Sequence, residues 1–323
     1  MASQLFKFDF SKRNPATPGA APAQPAAGTP STGIAARPFG TAATTDKMEM
    51  SNETFNNFRN LIYKLCGIYF TDSKKYLLEG RIVRRLVSHK MRTFDEYYRF
   101  VESPAGRSEL NELFEAITIN ETFFFRAPQQ FEAMEKIVIP ELISDKKDQT
   151  LPTFKIWIAA SSTGEEAYTI AIIILEKLRN KYPNVQFQIF ASDIDRVVLE
   201  TAKKGIYKEY AIRNVPKDLL AKYFKYDGTN YILSDQVKRL VRFSNINLYD
   251  AAQMRQMRGI DVVFCCNVLI YFDMASKQQV ISYIYDSLNK GGYLFIGYSE
   301  SLHGLSKAFQ LVHLPKAMAY KKE

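Results

Sequence analysis

Four apolar runs, at 153–160, 186–192, 260–266 and 292–298, alternate with helical stretches at 164–181, 195–204 and 274–289. Each run holds apolar residues at consecutive positions rather than only at every second one. A strand with that pattern is buried on both faces, as in a mainly parallel sheet covered by helices on either side. The second half of the chain is therefore read as an α/β domain. In such sheets ligands sit at the carboxyl ends of the strands, so the residues that follow each run are the first candidates for a site.

After Phe154–Ala160 comes Ser161, then Ser162-Thr163-Gly164-Glu165-Glu166. Neither G-x-G-x-x-G nor G-x-x-x-x-G-K-[ST] is present at this turn, and two acids there would repel a pyrophosphate. Glu165 and Glu166 fall in the first turn of a helix, so capping alone would account for them. They could equally pair with a cationic amino group, which points to S-adenosylmethionine through the ammonium of its amino-acid end. The second run ends Ser192-Asp193-Ile194-Asp195. An acid at this place commonly accepts from ribose hydroxyls, whereas an acid before a helix caps it. Asp193 is assigned to the ribose and Asp195 to the cap. The third run leads through Cys265 and Cys266 to Asn267. An amide at the end of so apolar a strand needs partners, either in a ligand or in a turn. Tyr271, four residues on, suits a core or a pocket wall equally.

Ahead of this domain the periodicity is helical. Phe55, Phe58, Leu61, Ile62 and Leu65 fall on one face with Gly67 as a stop, and a second helix spans about Asp72 to His89. Two more helices follow near 93–101 and 106–117, then a connecting segment from Thr118 to Arg126 and a long helix through about Ile143. Between the second and third strands, roughly 207–247, a helix at Lys217–Phe224 and an Asp227-Gly228 turn predict a small β insertion, placed at about 225–245. The domains read as 1–48, an Ala- and Pro-rich disordered tail with one apolar stretch at Leu5–Phe10; 49–118, helical; 119–126, a linker; and 127–323, the α/β domain.

The net charge of +9 favours an acidic partner. From Lys74 to Arg92 there are seven basic residues and one acid, with Arg81, Arg84 and Arg85 mostly on one helical side. A solvated face or a docking surface both fit such a stripe. Three histidines are scattered and three cysteines have no metal-type spacing, so no metal site is expected and a reducing compartment is. No run approaches the ~18 apolar residues of a membrane helix.

Five segments in order carry a resemblance: Asn120–Arg126, Ser162–Tyr168, Ala191–Asp195, Asn267–Phe272 and Gly297–Ser301. Together they resemble the motif set of the CheR family, the chemotaxis-receptor glutamate O-methyltransferases, over about residues 50 to 320. The resemblance implies a Rossmann-like methyltransferase domain behind a helical receptor-recognition domain. It implies S-adenosylmethionine as cofactor and S-adenosylhomocysteine as product. Carried over by motif, Asn120, Thr122 and Arg126 line the pocket from the linker. Glu166, or alternatively Glu165, takes the amino-acid end, and Asp193 takes the ribose. Asn247, Leu248, Asn267 and Val268 lie near the adenosine, with Arg126 and Tyr271 beside the reacting methyl. The partner would be the acidic methylation helices of a chemoreceptor bundle, met by Arg81, Arg84 and Arg85. A cytoplasmic monomer that binds neither nucleic acid nor membrane, and no receptor-tail peptide through its short insertion, completes the expectation. Ala167, Thr169, Tyr298 and Cys266 replace a usual proline, serine, histidine and arginine. Two rivals are a cofactor-binding adaptor without activity and an RNA methyltransferase.

Overall fold

The computed structural model describes residues 49–323. The tail reading and the Leu5–Phe10 stretch lie outside them. The strands are β1 (Thr153–Ala159), β2 (Gln186–Asp193), β3 (Ile206–Tyr207), β4 (Phe224–Tyr226), β5 (Tyr231–Leu233), β6 (Val241–Asn245), β7 (Ile260–Cys265), β8 (Leu288–Ile296), β9 (Phe309–Leu314) and β10 (Ala317–Lys322). Seven of them form one sheet in the order β6-β2-β1-β7-β8-β10-β9. The first five in that order run parallel, and β10 and β9 close the edge antiparallel. The fold is the expected Rossmann-like one.

Both faces of the central strands are covered, which is why their sequences do not alternate. On β1, Phe154, Ile156 and Ile158 enter one apolar cluster, while Trp157 and Ala159 enter the other. β7 divides the same way, with Val262 and Phe264 on one side and Val263 and Cys265 on the other. Strand order reverses between β1 and β7, and the crevice outside their carboxyl ends is where such sheets hold ligands.

The small sheet β3-β5-β4 is the predicted insertion. Its hairpin turns at Asp227–Asn230, where the Asp227 carboxylate accepts from the amides of Thr229 and Asn230. The expected limit of about 245 is too long. Val241–Asn245 is β6, the parallel edge strand beside β2. Arg242 and Ser244 alternate with Val241 and Phe243, so it lacks the continuous apolar run that marks β1 and β7.

The helical part comprises α1 (Asn52–Cys66), α2 (Lys75–Ser88), α3 (Phe94–Glu102) and α4 (Glu109–Ile117). Ser51 caps α1, and Gly67 ends it with φ of 73°. A side chain there would meet the Tyr249 ring at 2.6 Å, so glycine is required both by conformation and by close approach. Thr93 and Glu96 form a capping box on α3. Phe58, Ile62, Leu78, Ile82, Tyr97 and Leu113 fill a separate core. This part is fastened to the α/β part at the crevice. The Tyr69 amide donates to the Tyr271 carbonyl at 3.0 Å, and the Asn247 side-chain amide donates to the Leu65 carbonyl at 2.7 Å. No helix among the described residues is long and apolar enough to cross a membrane.

Candidate functional site

At the carboxyl ends of β1, β2 and β7 lies a cleft of about 1050 Å³, counting the space open to solvent. Its walls come from the strand ends and the residues just after β6, from Ile117 and the linker that follows it, from Phe131, and from Cys66 and Ile68 of the helical part.

The turn after β1 is held tightly. Ser162 has φ of 48°, Ala160 of 64° and Asn267 of 61°. These are three of the six non-glycine residues in the left-handed region among the described residues, and all three line the cleft. Each such residue costs about 1–2 kcal/mol, so strain is concentrated where a ligand would sit. Gly164, with φ of 90°, packs against Phe243, Tyr168 and Ala202 with no room for a side chain.

The two glutamates of the turn part company. Glu166 lines the cleft. Glu165 does not; it is 2% exposed and its carboxylate accepts from the Thr163 hydroxyl at 2.7 Å. Burial pushes Glu166 up to about 7. Cys266 and Arg126 pull it down part of the way, and the Glu300 carboxylate pushes it further up. A carboxyl with that balance gains a proton readily unless a cation docks on it.

Asp193 and Asp195 differ in the same manner. Asp193 lines the cleft, with one oxygen accepting the Ser162 amide at 2.8 Å and the other accepting the Asp195 amide at 3.0 Å. Each oxygen keeps a lone pair for a further donor. Burial pushes this carboxyl up to about 6. Asp195 caps the helix Arg196–Lys204 through the amides of Val197 and Val198. Its second oxygen accepts from the Asn120 amide at 2.8 Å and the Thr118 hydroxyl at 3.2 Å. Asn120 therefore ties the linker down and lines the cleft at once. Thr122 and Val268 line it too. Asn247 lines it, but its side chain is spent on the Leu65 carbonyl and the Tyr249 amide; Leu248 beside it is buried in the wall. Arg126 is exposed at the mouth, donating to the Glu121 carbonyl at 2.7 Å with its guanidinium over the Phe123 ring. Burial raises the Tyr271 phenol, and the nearby cations Arg81 and Arg126 oppose that rise.

The three arginines of α2 are not equivalent. Arg84 is exposed. Arg81 is half-buried and donates to the Ile117 carbonyl. Arg85 makes a two-pronged pair with Glu109, at 2.7 and 2.8 Å, and Glu109 also accepts from Tyr97 and meets His89. Burial pushes the Glu109 carboxyl up, and these hydrogen bonds more than offset it. Helical spacing put Arg85 on the outer stripe, whereas its guanidinium is committed to this internal network.

Sequence reasoning missed Cys66 and Ile68 as lining residues, because nothing local says that α1 ends at the cleft, and it missed Phe131, which reads as an ordinary apolar helix position. It also left Glu300 without a role, although its segment was singled out. The Glu300 carboxylate accepts the amides of Asn267 at 2.8 Å and Gly297 at 2.7 Å. Ser161 contributes a buried hydroxyl in the cleft wall with no partner in the protein, a site for a ligand donor. The Glu166 and Asp193 carboxylates and Arg126 in the cleft lining fit a ligand with an ammonium and a ribose, reacting with an anion.

Comparison with known proteins agrees. A family model described as CheR methyltransferase, SAM binding domain, matches residues 120–318. A second, CheR methyltransferase, all-alpha domain, matches residues 53–118. Chemotaxis protein methyltransferase 2 of Vibrio cholerae is 34% identical over 279 residues, covering 86% of this chain and 95% of its own. A chemotaxis protein methyltransferase of Vibrio parahaemolyticus is 35% identical, over 84% and 98%. Chemotaxis protein methyltransferase Cher2 of Pseudomonas putida is 32% identical, over 85% and 99%.

Proposed function

The chain belongs to the CheR methyltransferase family, and on that premise we propose that it methylates glutamate side chains of chemoreceptors from S-adenosylmethionine, releasing S-adenosylhomocysteine in the cytoplasm. The observation that carries this reading is the division of charge in the cleft. Glu166 and Asp193 line it together with Arg126, and the charges of Arg126 and Arg81 both act on Tyr271 in its wall.

When bound, the cofactor supplies an electrophilic methyl on a sulfonium. Glu166 holds the ammonium of its amino-acid end, and Asp193 accepts from the ribose hydroxyls. Asn267, Val268 and Leu248 border the adenosine. Asn120 and Thr122 line the same pocket from the linker, and Asn247 keeps the helical part against it. A glutamate acceptor with a pKa of ~4.3 is already ionised at neutral pH, so no general base is needed. Arg126 orients the incoming carboxylate, and Tyr271 shapes the opening, so catalysis rests on positioning and on removing water from the acceptor. Peptide mapping of a methylated receptor by mass spectrometry tests the reading: the methyl should lie on glutamate side chains and on no other residue type.

Glu166 predicts a pH dependence. Its carboxyl is pushed up to about 7, and an ammonium prefers the ionised form, so cofactor binding expels a proton. Affinity for S-adenosylhomocysteine should rise with pH through about 7, by up to about tenfold per unit below the midpoint. Calorimetry in buffers of different ionisation enthalpy reads the proton directly. Glu166→Gln should flatten the profile.

For the receptor, Arg84 is the exposed one of the three arginines, with Arg81 half-buried against the Ile117 carbonyl and Arg85 bracing the helix from within. Arg84→Glu should lower kcat/KM for receptor methylation roughly 3- to 10-fold, reduce its salt sensitivity, and leave cofactor affinity unchanged. Full activity with unaltered salt dependence would remove Arg84 from the docking surface.

A further inference from the structure

We propose that Glu300 is a positioning residue for the cofactor site, holding Asn267 in its left-handed conformation so that the loop after β7 presents Asn267 and Val268 to the cofactor. The proposal rests on the cofactor reading above.

Asn267 follows β7 with φ of 61°, a conformation an asparagine side chain tolerates but does not impose. Something must select it. One oxygen of Glu300 accepts the Asn267 amide at 2.8 Å and the Gly297 amide at 2.7 Å, so a single atom staples the end of β7 to the end of β8. Both amides point at the same oxygen, which is strong for a charged acceptor. The geometry leaves no slack. A Cβ on Gly297 would lie 2.7 Å from that oxygen and 2.9 Å from the Asn267 side-chain nitrogen. Gly297 is glycine because the staple passes through the space its side chain would fill.

The other oxygen of Glu300 is buried without a hydrogen-bond partner. A staple alone could be made by a neutral amide, so the charge has a second consequence. Glu166 faces Arg126 from the linker, Cys266 from the end of β7 and Glu300 from the segment after β8. Glu300 in turn acts on Cys265, Cys266 and Tyr271. Among the described residues that act on Glu166, the Glu300 carboxylate opposes its ionisation, whereas Arg126 and Cys266 favour it. Burial is the main reason the Glu166 carboxyl is raised, and the residue that shapes the adenosine side adds to that rise.

The test is calorimetric binding of S-adenosylhomocysteine to the full chain, as a function of pH, for wild type, Glu300→Ala, Glu300→Gln and Gly297→Ala. Glu300→Ala removes a charged hydrogen-bond acceptor from two amides and should weaken binding roughly 10- to 100-fold. Gly297→Ala keeps the charge but displaces the staple, and should weaken binding in the same direction. Glu300→Gln keeps an oxygen for both amides, so affinity at alkaline pH should stay within about threefold of wild type. Its pH midpoint should move to lower pH, a shift that a purely structural role would not produce. Wild-type affinity in Glu300→Ala overturns the proposal, as does a Glu300→Gln protein as weak as Glu300→Ala with an unmoved midpoint. Failure of the wild-type chain to bind S-adenosylhomocysteine would instead overturn the cofactor reading itself.

Discussion

Asp193→Ala should lower affinity for S-adenosylmethionine by roughly 100-fold or more. The carboxylate is 6% exposed, and both its oxygens already accept backbone amides, from Ser162 and Asp195. Removing it takes away the proposed ribose acceptor and leaves the Ser162 and Asp195 N–H groups without their carboxylate. Hydrogen bonds to charged groups are worth about 1.5–3 kcal/mol each, and each orphaned amide costs about 1–3 kcal/mol. The second loss falls on the Ser162 turn, which is itself in the left-handed region and has little reason to stay there unaided. Asp193→Asn retains one acceptor and the shape, and should lose about tenfold. Titration calorimetry separates the two, with thermal melts to confirm that both proteins are folded. Equal, near-wild-type affinities for the two variants would mean that Asp193 only braces the turn.

Arg126→Ala should reduce kcat/KM for receptor methylation by roughly 100-fold while weakening S-adenosylhomocysteine binding by no more than about tenfold. The asymmetry follows from where Arg126 sits. Its guanidinium is exposed at the mouth, held by the Glu121 carbonyl and the Phe123 ring, with Glu166 within electrostatic reach. It thus faces both the cofactor's amino-acid end and the space an acceptor carboxylate must enter. Arg126→Lys keeps the charge without the planar fork and should recover only part of the rate. Loss of cofactor binding equal to the loss of turnover would assign Arg126 to the cofactor alone. Unchanged turnover would remove it from the site.

Much of this was legible because the central sheet writes itself in runs. Phe154–Ala159 and Ile260–Cys265 are apolar on both faces, so their strands, their burial and the turns after them could be read together. β6 could not. At the sheet edge it alternates Val241, Arg242, Phe243, Ser244, which reads as an insertion hairpin. The antiparallel strands Phe309–Leu314 and Ala317–Lys322 pass unnoticed for a related reason, since polar residues interrupt them. For the site, residue type and place in the turn narrowed the candidates to Glu165 or Glu166 and to Asp193 or Asp195. The place of Asp195 just before a helix already marked it as the cap, whereas side-chain direction was needed to put Glu166 rather than Glu165 in the cleft. Arg85 shows the limit most plainly: spacing gives the side of the helix, but not that Glu109, Tyr97 and His89 wait there.

The central claim is that this cleft makes methyl esters on a chemoreceptor. Incubation with methyl-labelled S-adenosylmethionine and receptor-bearing membranes, followed by mild alkali, tests it most directly. The account predicts label on the receptor that is released as volatile methanol by base, and absent with Asp193→Ala. Label that survives base, or cofactor binding with no label on the receptor, would contradict it.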